Sequence, residues 1–588
     1  MTRPETFQSL GCLPKDTIPE RIVSSTPLFD LSTVYGNFVE NLDVKGRLFQ
    51  RGLLKHEEEK GRVWPPSSKT PVHLCVGNQL PQETRCHDMP EDGANTLAGI
   101  SLMTIWYWRN HNFIANELFR INPCWDDEML FATARDINIA IFNQINYYEL
   151  MPLFLGCANL LRDGILSPSA GFRDIYNKTI EPRMSLEFSF VLRWMHTIQE
   201  GTLKMYDRYG FYLKQIPIAN LTLRTGYLAV DNNIDYITQG SFRQGSGKVD
   251  YIADPDMTDR ALGPYQKAAD VMTNDLAKNR YFGFQPYIRY RETCFGKLIR
   301  TFDDLHGIID PERIEILKDV YEKEIDIDLM AGIWVEKPIP EGYVPSTFYC
   351  LVIDQLRRNI VSDRHWYERS QRPRAFNEPV LCDVKAALFY DSYHGVPIDV
   401  SEVKRRDKSN TTFWCVNEIE PCDPLEGRRV DGSCNNLKYP SRGASHTPFT
   451  RILPPIYDKD FEPKKSASGN DLPLPRSLRT RLISVGKVPS QRYTQLALHA
   501  FTFLSADVVS LHDTVNYILW RPYCCTPKGK TDSICVPNKV PEDDPVHRFS
   551  GIRCLNMIFS KYWMCAKGHN PRKNRFINST YRFIYNLR

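Results

Sequence analysis

One histidine lies in the middle of an apolar helical stretch, WYWRNHNFIANEL, at residues 106–118. Positions three and four residues apart share one helix face, and the members of this face are Thr104, Tyr107, Trp108, His111, Ile114, Ala115 and Leu118. A neutral imidazole on such a face can bind the iron or metal of a buried cofactor. It can also be a core side chain that is hydrogen-bonded to a backbone carbonyl, which is the commoner role of a lone histidine on an apolar face. The local pattern leaves both interpretations of His111 open.

The composition is that of a folded globular protein. Of 588 residues, 42% are hydrophobic and 24% are charged, which are ordinary proportions. The formal net charge of +4 gives no support for nucleic-acid binding. The sequence has no apolar run of 18 residues, so no membrane-spanning helix is predicted. We therefore expect neither nucleic acid nor a membrane span.

Cysteines and glycosylation sequons indicate an oxidising, extracellular location. The 16 cysteines show no metal-type repeat, and the pair Cys524-Cys525 followed by Cys535 is typical of disulfides that staple loops. The asparagines of the N-glycosylation sequons are Asn177, Asn220, Asn410 and Asn578. The first residues, MTRPETFQSLGCLP, lack the apolar core of a signal peptide. Either the protein is not secreted or its natural N-terminus lies upstream of Met1, and we favour the second of these expectations.

Helical periodicity dominates the chain. It is strong in six stretches, which are 97–120, 126–150, 185–206, 259–278, 346–361 and 490–520. The stretch 396–480 is instead polar and proline-rich, and we expect it to be a long loop held by disulfides or a linker. Its cysteines include Cys415, Cys422 and Cys434. We predict a mainly α protein with long disulfide-stapled loops and little β structure.

Three long stretches resemble the animal haem peroxidase family. The stretch that begins WYWRNHNFIANELFRINPCWDDEM resembles the region of the family's proximal histidine. Residues 324–368 resemble its later helices, and residues 430–461 resemble its domain entrance. The resemblance implies a peroxidase-like helical fold, a haem b partner and oxidation of an unspecified donor by hydrogen peroxide. It also implies that His111 is the proximal ligand of the haem iron.

The order of the matching parts differs from that of the family. Residues 1–400 resemble the back part of a peroxidase domain, 401–429 is a predicted linker, and 430–588 resembles the front part. An echo between the stretches that begin at Cys12 and Cys554 suggests two copies of one unit. We predict that the two parts pack together as one permuted domain. Two separate lobes of a truncated tandem protein are the alternative.

The positions that carry catalysis in the family are changed. Cleavage of hydrogen peroxide needs a distal base that moves a proton and a cation that stabilises developing charge. The resemblance places Ala506, in FTFLSADVV, at the distal histidine. It places Gly93 and Thr96, in CHDMPEDGANTLAG, at the catalytic arginine and the haem-linking glutamate. We therefore expect weak or absent peroxidase activity. An active enzyme with another base and a haem-free extracellular scaffold or adhesion protein are the alternatives. Candidates for another base are His499, His512 and His87.

The proximal side is changed as well. In the family, an asparagine three residues before an arginine is the hydrogen-bond partner of the proximal histidine, and that helix carries a Gly-His pair. Here FSFVLRWMHT keeps Arg193 and His196 but has Phe190 at the asparagine position. Arg193 would pair either with a haem propionate or with a helix carboxylate.

The loop TPLFDLS resembles the calcium loop of the family. The implied ligands are the oxygens of Thr26, Leu28 (its carbonyl), Asp30, Ser32 and Asp507. These are hard donors of the kind that calcium prefers. Because Asp507 comes from the other part of the chain, the permuted domain should bring it close to Asp30. The helix near 496–509 should then face the His111 helix.

Overall fold

Helices make up most of the regular structure. The computed structural model describes residues 23, 25–68, 87–168, 171–222, 224–261, 268–372, 375–376, 449–458, 462–508, 523–531 and 535–557. The α-helices in these ranges are Ser32–Tyr35, Val39–Asn41, Ala98–Ile121, Asp127–Ile145, Met151–Leu155, Cys157–Arg162, Leu186–Val191, Asn233–Arg243, Pro255–Asp259, Val271–Tyr281, Tyr287–Phe295, Pro311–Val320, Leu329–Val335, Ser346–Ser362, Pro475–Leu482, Gln495–Val508 and Pro527–Lys530. The predicted mainly α fold is confirmed.

Short strands pair into two-stranded sheets. The antiparallel pairs are Glu57–Glu59 with Arg62–Trp64, Thr202–Tyr206 with Tyr212–Pro217, Gly245–Gly247 with Pro489–Thr494, and Asn538–Lys539 with Cys554–Leu555. Ile252–Ala253 pairs in parallel with Ser484–Val485. Two of these sheets therefore join a strand before residue 400 to a strand after residue 430.

The helix Ala98–Ile121 carries His111 and lies within the main core. The helix Asp127–Ile145 packs against it. Its N-cap is Asp126, whose carboxylate accepts a hydrogen bond from the Met129 amide at 2.8 Å. The helix Gln495–Val508 also packs on the His111 helix. At that contact, the rings of Tyr107 and Phe503 stack with centroids 5.5 Å apart. The predicted packing of the two chain parts on each other is thereby confirmed.

The division of the chain into 1–400, 401–429 and 430–588 remains a prediction. Residues 377–448, which contain the predicted linker with Cys415 and Cys422, lie outside the described residues. The two-lobe alternative does not agree with the shared sheets and helix contacts. In the described ranges, the chain parts form one packed body around a common apolar core.

Disulfides hold loops and helices in place. Cys294–Cys350 joins the helices Tyr287–Phe295 and Ser346–Ser362. Cys524–Cys535 and Cys525–Cys554 close the loops of the C-terminal region. The loop-stapling role predicted for the adjacent cysteines is confirmed.

Candidate functional site

His111 is fully buried, and protein atoms occupy both of its ring nitrogens. Its Nε2 lies 2.9 Å from the carbonyl oxygen of Gly52, and its Nδ1 lies 2.9 Å from the hydroxyl of Tyr35. The carbonyl can only accept, so Nε2 carries the proton and Nδ1 accepts from Tyr35. Burial lowers the pKa of His111 to about 4, which keeps the ring neutral. Because protein atoms engage both ring nitrogens, these contacts favour a core role for His111, and its role as the haem-iron ligand remains a prediction.

The loop that contacts His111 is shaped by a glycine. Gly52 has φ +70°, and a Cβ atom there would lie 2.5 Å from the backbone nitrogen of Phe131. Its amide donates to Asp127 at 2.7 Å. The absence of a side chain lets the Gly52 carbonyl approach the imidazole. The alternative that His111 is a core histidine hydrogen-bonded to a backbone carbonyl is therefore the one that the contacts favour.

His196 has the arrangement that a metal-binding histidine requires. It lies in the 3-10 turn Leu192–Ile198, which continues the helix Leu186–Val191. Its Nδ1 lies 2.6 Å from a carboxylate oxygen of Asp275, and the Asp275 side chain is only 1% exposed. In the described part of the chain, Nε2 of His196 has no hydrogen-bond partner. Metal-bound histidines usually donate their second N–H to a carboxylate or carbonyl, which fixes the tautomer. His196 is therefore the better candidate for an iron ligand.

Asp275 also anchors Arg193. A guanidinium nitrogen of Arg193 lies 3.4 Å from its second carboxylate oxygen. Arg193 was predicted to pair either with a haem propionate or with a helix carboxylate, and the structure contains the second of these contacts. Phe190 packs against the rings of Phe282 and Phe284, with centroids 5.8 and 4.7 Å away, so it lies in an aromatic cluster.

The helix Gln495–Val508 offers no acid or base at the predicted distal position. Ala506 is packed against the main core. The Ser505 hydroxyl donates to the Phe501 carbonyl at 2.9 Å and lies 3.8 Å from the sulfur of Met195. Met195 directly precedes His196, so the two helical segments touch beside the candidate ligand.

A local hydrogen bond joins Gly93 and Thr96, the positions predicted for the catalytic arginine and the haem-linking glutamate. The Thr96 hydroxyl donates to the Gly93 carbonyl at 2.7 Å. Gly93 lies in the 3-10 turn Asp92–Asn95. Neither residue bears a charge that could stabilise a developing anion.

The other histidines named as possible bases are also engaged. The Nδ1 of His499 pairs with Ser241 at 3.1 Å, and its Nε2 lies 3.3 Å from the Gln495 amide nitrogen. Burial lowers the pKa of His499 to about 4. The Nδ1 of His87 donates to the Pro65 carbonyl at 3.1 Å. His512 lies outside the described residues.

The predicted calcium ligands come together. The carboxylate of Asp507 accepts hydrogen bonds from the amides of Asp30 at 3.1 Å and Ser32 at 2.5 Å, and from the Ser32 hydroxyl at 2.7 Å. The Thr26 hydroxyl lies 3.1 Å from the Leu28 carbonyl oxygen. The expected approach of Asp507 to Asp30 is confirmed.

This oxygen cluster places the carboxyl groups of Asp30 and Asp507 together in the core. Burial and the nearby Asp30 carboxylate raise the pKa of Asp507, and burial raises the pKa of Asp30. One oxygen of Asp30 is buried without a hydrogen-bond partner. Two buried carboxylates in this position repel each other, and a bound cation would relieve the repulsion. Among the described residues, no group of three or more His, Cys, Asp and Glu side chains could hold a metal, so hydroxyl and carbonyl oxygens would have to complete the ligand set.

The animal haem peroxidase family model matches residues 2–391 and 427–584, so this chain belongs to that family. It is similar to a peroxidase of Drosophila melanogaster, with 29% identity over 375 residues that cover 63% of this chain and 54% of that protein. It is also similar to the human peroxidasin homolog, with 26% identity over 468 residues that cover 76% of this chain and 30% of that protein. The chain thus spans about half or less of the length of these relatives.

Solved structures share the fold. Peroxidase A from Dictyostelium discoideum superposes with a TM-score of 0.52 at 23% identity, covering 67% of this chain and 70% of that one. A fatty acid alpha-dioxygenase from Oryza sativa superposes with a TM-score of 0.51 at 18% identity, covering 67% and 66%. In the described residues, no helix is long and apolar enough to cross a membrane.

Proposed function

We propose that this chain is a haem-binding member of the animal haem peroxidase family, with His196 as the iron ligand. The supporting observation is the 2.6 Å contact between His196 Nδ1 and the buried Asp275, which leaves Nε2 for a ligand role. Haem, when bound, would supply an iron centre that reacts with hydrogen peroxide. Asp275 would orient the imidazole, and Arg193 would hold Asp275 in place. The donor substrate is not specified by these contacts.

The family reaction, oxidation of a donor by hydrogen peroxide, is proposed to be weak or lost. Ala506 cannot move a proton, and Gly93 and Thr96 supply no cation near the reacting oxygens. General acid–base help is typically worth about 10²- to 10⁴-fold in rate. His499 and His87 are each hydrogen-bonded within the protein and do not replace the missing base.

We propose a calcium site at the oxygen cluster. Its ligands would be Thr26, the Leu28 carbonyl, Asp30, Ser32 and Asp507. The support is their mutual contacts, the mixture of carboxylate, hydroxyl and carbonyl oxygens, and the unpartnered oxygen of Asp30. Because these ligands come from both chain parts, calcium would also hold the two parts together.

We also propose an extracellular location. Three disulfides with described partners are typical of an oxidising compartment. The sequon residue Asn177 is exposed, as glycosylation requires. Asn410 and Asn578 lie outside the described residues.

The ligand assignment is tested by adding haem to the purified full chain and recording the absorption spectrum. We expect a Soret band in the wild type and in His111→Gln, and none in His196→Ala. The opposite result for the two variants would return the ligand to His111. Circular dichroism verifies that each variant is folded.

The catalytic proposal needs a separate test. The double variant Ala506→His with Gly93→Arg should oxidise a standard donor faster than the wild type when haem is bound. Rapid turnover by the unmodified chain would contradict the proposal.

A haem-free scaffold or adhesion protein is the second candidate function. The 3.8 Å contact of Ser505 with Met195 supports it, because that contact packs the helix Gln495–Val508 against the residue that precedes His196. The same spectrum separates the two: no Soret band after haem addition, in a folded wild type, would exclude the haem-binding proposal and favour this candidate.

A further inference from the structure

A β-hairpin, Thr202–Tyr206 with Tyr212–Pro217, presents an exposed aromatic tip. The side chains of Tyr209 and Phe211 are 72% and 70% exposed. Tyr212 and Leu213 follow them at 54% and 44%. Large apolar side chains clustered on a surface in this way mark a binding surface rather than ordinary surface composition.

The tip is rigid although it is exposed. The Asp207 amide donates to the Phe211 carbonyl at 3.0 Å, and the Gly210 amide donates to the Asp207 carbonyl at 3.1 Å. The Asp207 carboxylate accepts from the amides of Tyr209 at 2.9 Å and Phe211 at 2.8 Å. These bonds fix the loop before any partner binds, so docking costs little conformational entropy.

Basic residues surround the aromatic tip. The hairpin contains Lys204, Arg208 and Lys214 and one acidic residue, Asp207. The Asp207 carboxylate is already used by backbone amides within the turn. Arg208 and Lys214 are exposed, and the Lys214 ammonium donates to the neutral hydroxyl of Tyr227 at 3.1 Å. The guanidinium of Arg208 lies 5.0 Å from the ring centroid of Tyr209. Positive charge and aromatic surface therefore occur at the same place.

We propose that this tip docks on the surface of a lipid bilayer with anionic headgroups. Aromatic rings with a polar end favour the boundary between headgroups and acyl chains. Lysine and arginine beside them are attracted to anionic lipids. The tip would insert Tyr209 and Phe211 at headgroup depth, while Arg208 and Lys214 contact phosphates and carboxylates. This is peripheral binding and requires no spanning segment.

A bilayer fits the tip better than a second copy of the chain does. A stable protein interface buries about 800 Å² on each partner, which is a broad surface. Here the exposed apolar side chains occupy one narrow turn and the start of one strand. A narrow, convex, aromatic tip can enter a soft lipid surface, whereas it covers too little of another protein.

Sedimentation with vesicles tests this docking. The full chain is mixed with phosphatidylcholine vesicles that contain either no phosphatidylserine or 30% of it. We expect the wild type to partition onto the phosphatidylserine vesicles, and the double variant Tyr209→Ser with Phe211→Ser to bind at least about tenfold less. Arg208→Glu with Lys214→Glu should remove the preference for phosphatidylserine.

The matched control is Phe549→Ser, because Phe549 is 88% exposed but lies outside the hairpin. It should bind vesicles as the wild type does. Unchanged binding by the aromatic double variant, or no binding of the wild type to either vesicle, would overturn the proposal. A dimer that forms without lipid and that the double variant abolishes would assign the tip to a second copy instead. Thermal melting of each variant separates lost docking from lost folding.

Discussion

Replacement of Arg476 by methionine should strongly destabilise the contact between the two chain parts. The Arg476 side chain is fully buried in the helix Pro475–Leu482. It forms ion pairs with Asp270 at 2.5 Å and with Asp544 at 2.7 Å. A third carboxylate, that of Asp259, lies 3.1 Å away. Methionine removes the charge while keeping much of the volume, so the change leaves buried carboxylates without their partner.

The magnitude follows from this geometry. Removal of one partner from a buried ion pair costs about 3–5 kcal/mol. Arg479 still reaches Asp270 at 2.7 Å, so we expect the lower end, about 3 kcal/mol. That loss lowers the ratio of folded to unfolded protein by about two orders of magnitude.

The stability lost on replacing Arg476 by methionine should depend on pH. Although burial opposes it, hydrogen bonding from Arg476 lowers the pKa of Asp544 to about 2. A carboxylate with a lowered pKa in the folded protein stabilises it above its ordinary pKa near 4, and that contribution is lost as the pH falls towards 2. The difference between wild type and Arg476→Met should therefore shrink over this range.

Urea unfolding followed by circular dichroism and tryptophan fluorescence measures the loss of stability. The matched control is Arg481→Met, in the same helix, because the exposed side chain of Arg481 also pairs across the two parts, with Asp319. An exposed ion pair contributes about 0–1 kcal/mol. Equal and small effects of the two substitutions would refute the reasoning, because burial would then have no energetic consequence.

The remaining predictions concern single sites. When the pH falls from about 6.5 to 4, His111→Gln should lose roughly 3 kcal/mol less unfolding free energy than the wild type. The reason is that the buried wild-type histidine has a pKa of about 4, so it stays neutral where an unfolded histidine gains a proton. Urea unfolding at both pH values measures the difference. Removal of Cys294–Cys350, which closes a loop of 56 residues, should cost about 4 kcal/mol in the same assay. Calcium should raise the melting temperature of the wild type but not of Asp30→Asn. Asp275→Leu, which removes the hydrogen-bond acceptor for His196, should weaken haem binding about 10- to 100-fold in a Soret titration, and equal affinity would exclude Asp275 as the orienting group.

Sequence periodicity located the long helices but not the segments that follow them. The stretch 97–120 forms the helix Ala98–Ile121, as predicted. The stretch 185–206 instead ends in the strand Thr202–Tyr206, in which Leu203 and Met205 alternate inward. Two buried positions are too few to reveal a strand beside a longer helical pattern. The extended conformation of this segment depends on pairing with the strand Tyr212–Pro217, which lies outside the stretch 185–206.

The stretch 490–520 shows the same dependence on distant contacts. It begins as the strand Pro489–Thr494, which pairs with Gly245–Gly247, before the helix Gln495–Val508. Propensity alone does not reveal a partner that lies far away in the chain. For 259–278, the helix begins only at Val271, and residues 262–267 are outside the described ranges.

The candidate site was predicted in part. Asp507 and Asp30 were placed together through the family resemblance, and their contact is present. A backbone carbonyl was one predicted partner of His111, but its identity as that of Gly52 was not, because Gly52 lies 59 residues away and nothing in the local pattern indicates that its carbonyl approaches. His196 and Asp275 are separated by 79 residues. The sequence feature that could have indicated this pair is the histidine retained in FSFVLRWMHT, which is His196.

The contact between Ser32 and Asp507 also sets a time scale for synthesis of the protein. The two residues are 475 positions apart in the chain. At about 5–20 residues per second, the ribosome needs roughly 25 to 95 s to add Asp507 after Ser32. During this interval, the Ser32 amide and the face of the His111 helix that later contacts Phe503 are without those partners. An incomplete chain with an uncovered apolar face is a substrate for chaperones and prone to aggregation. Expression of this protein should therefore depend on chaperone supply more than that of a domain whose helices pack in chain order.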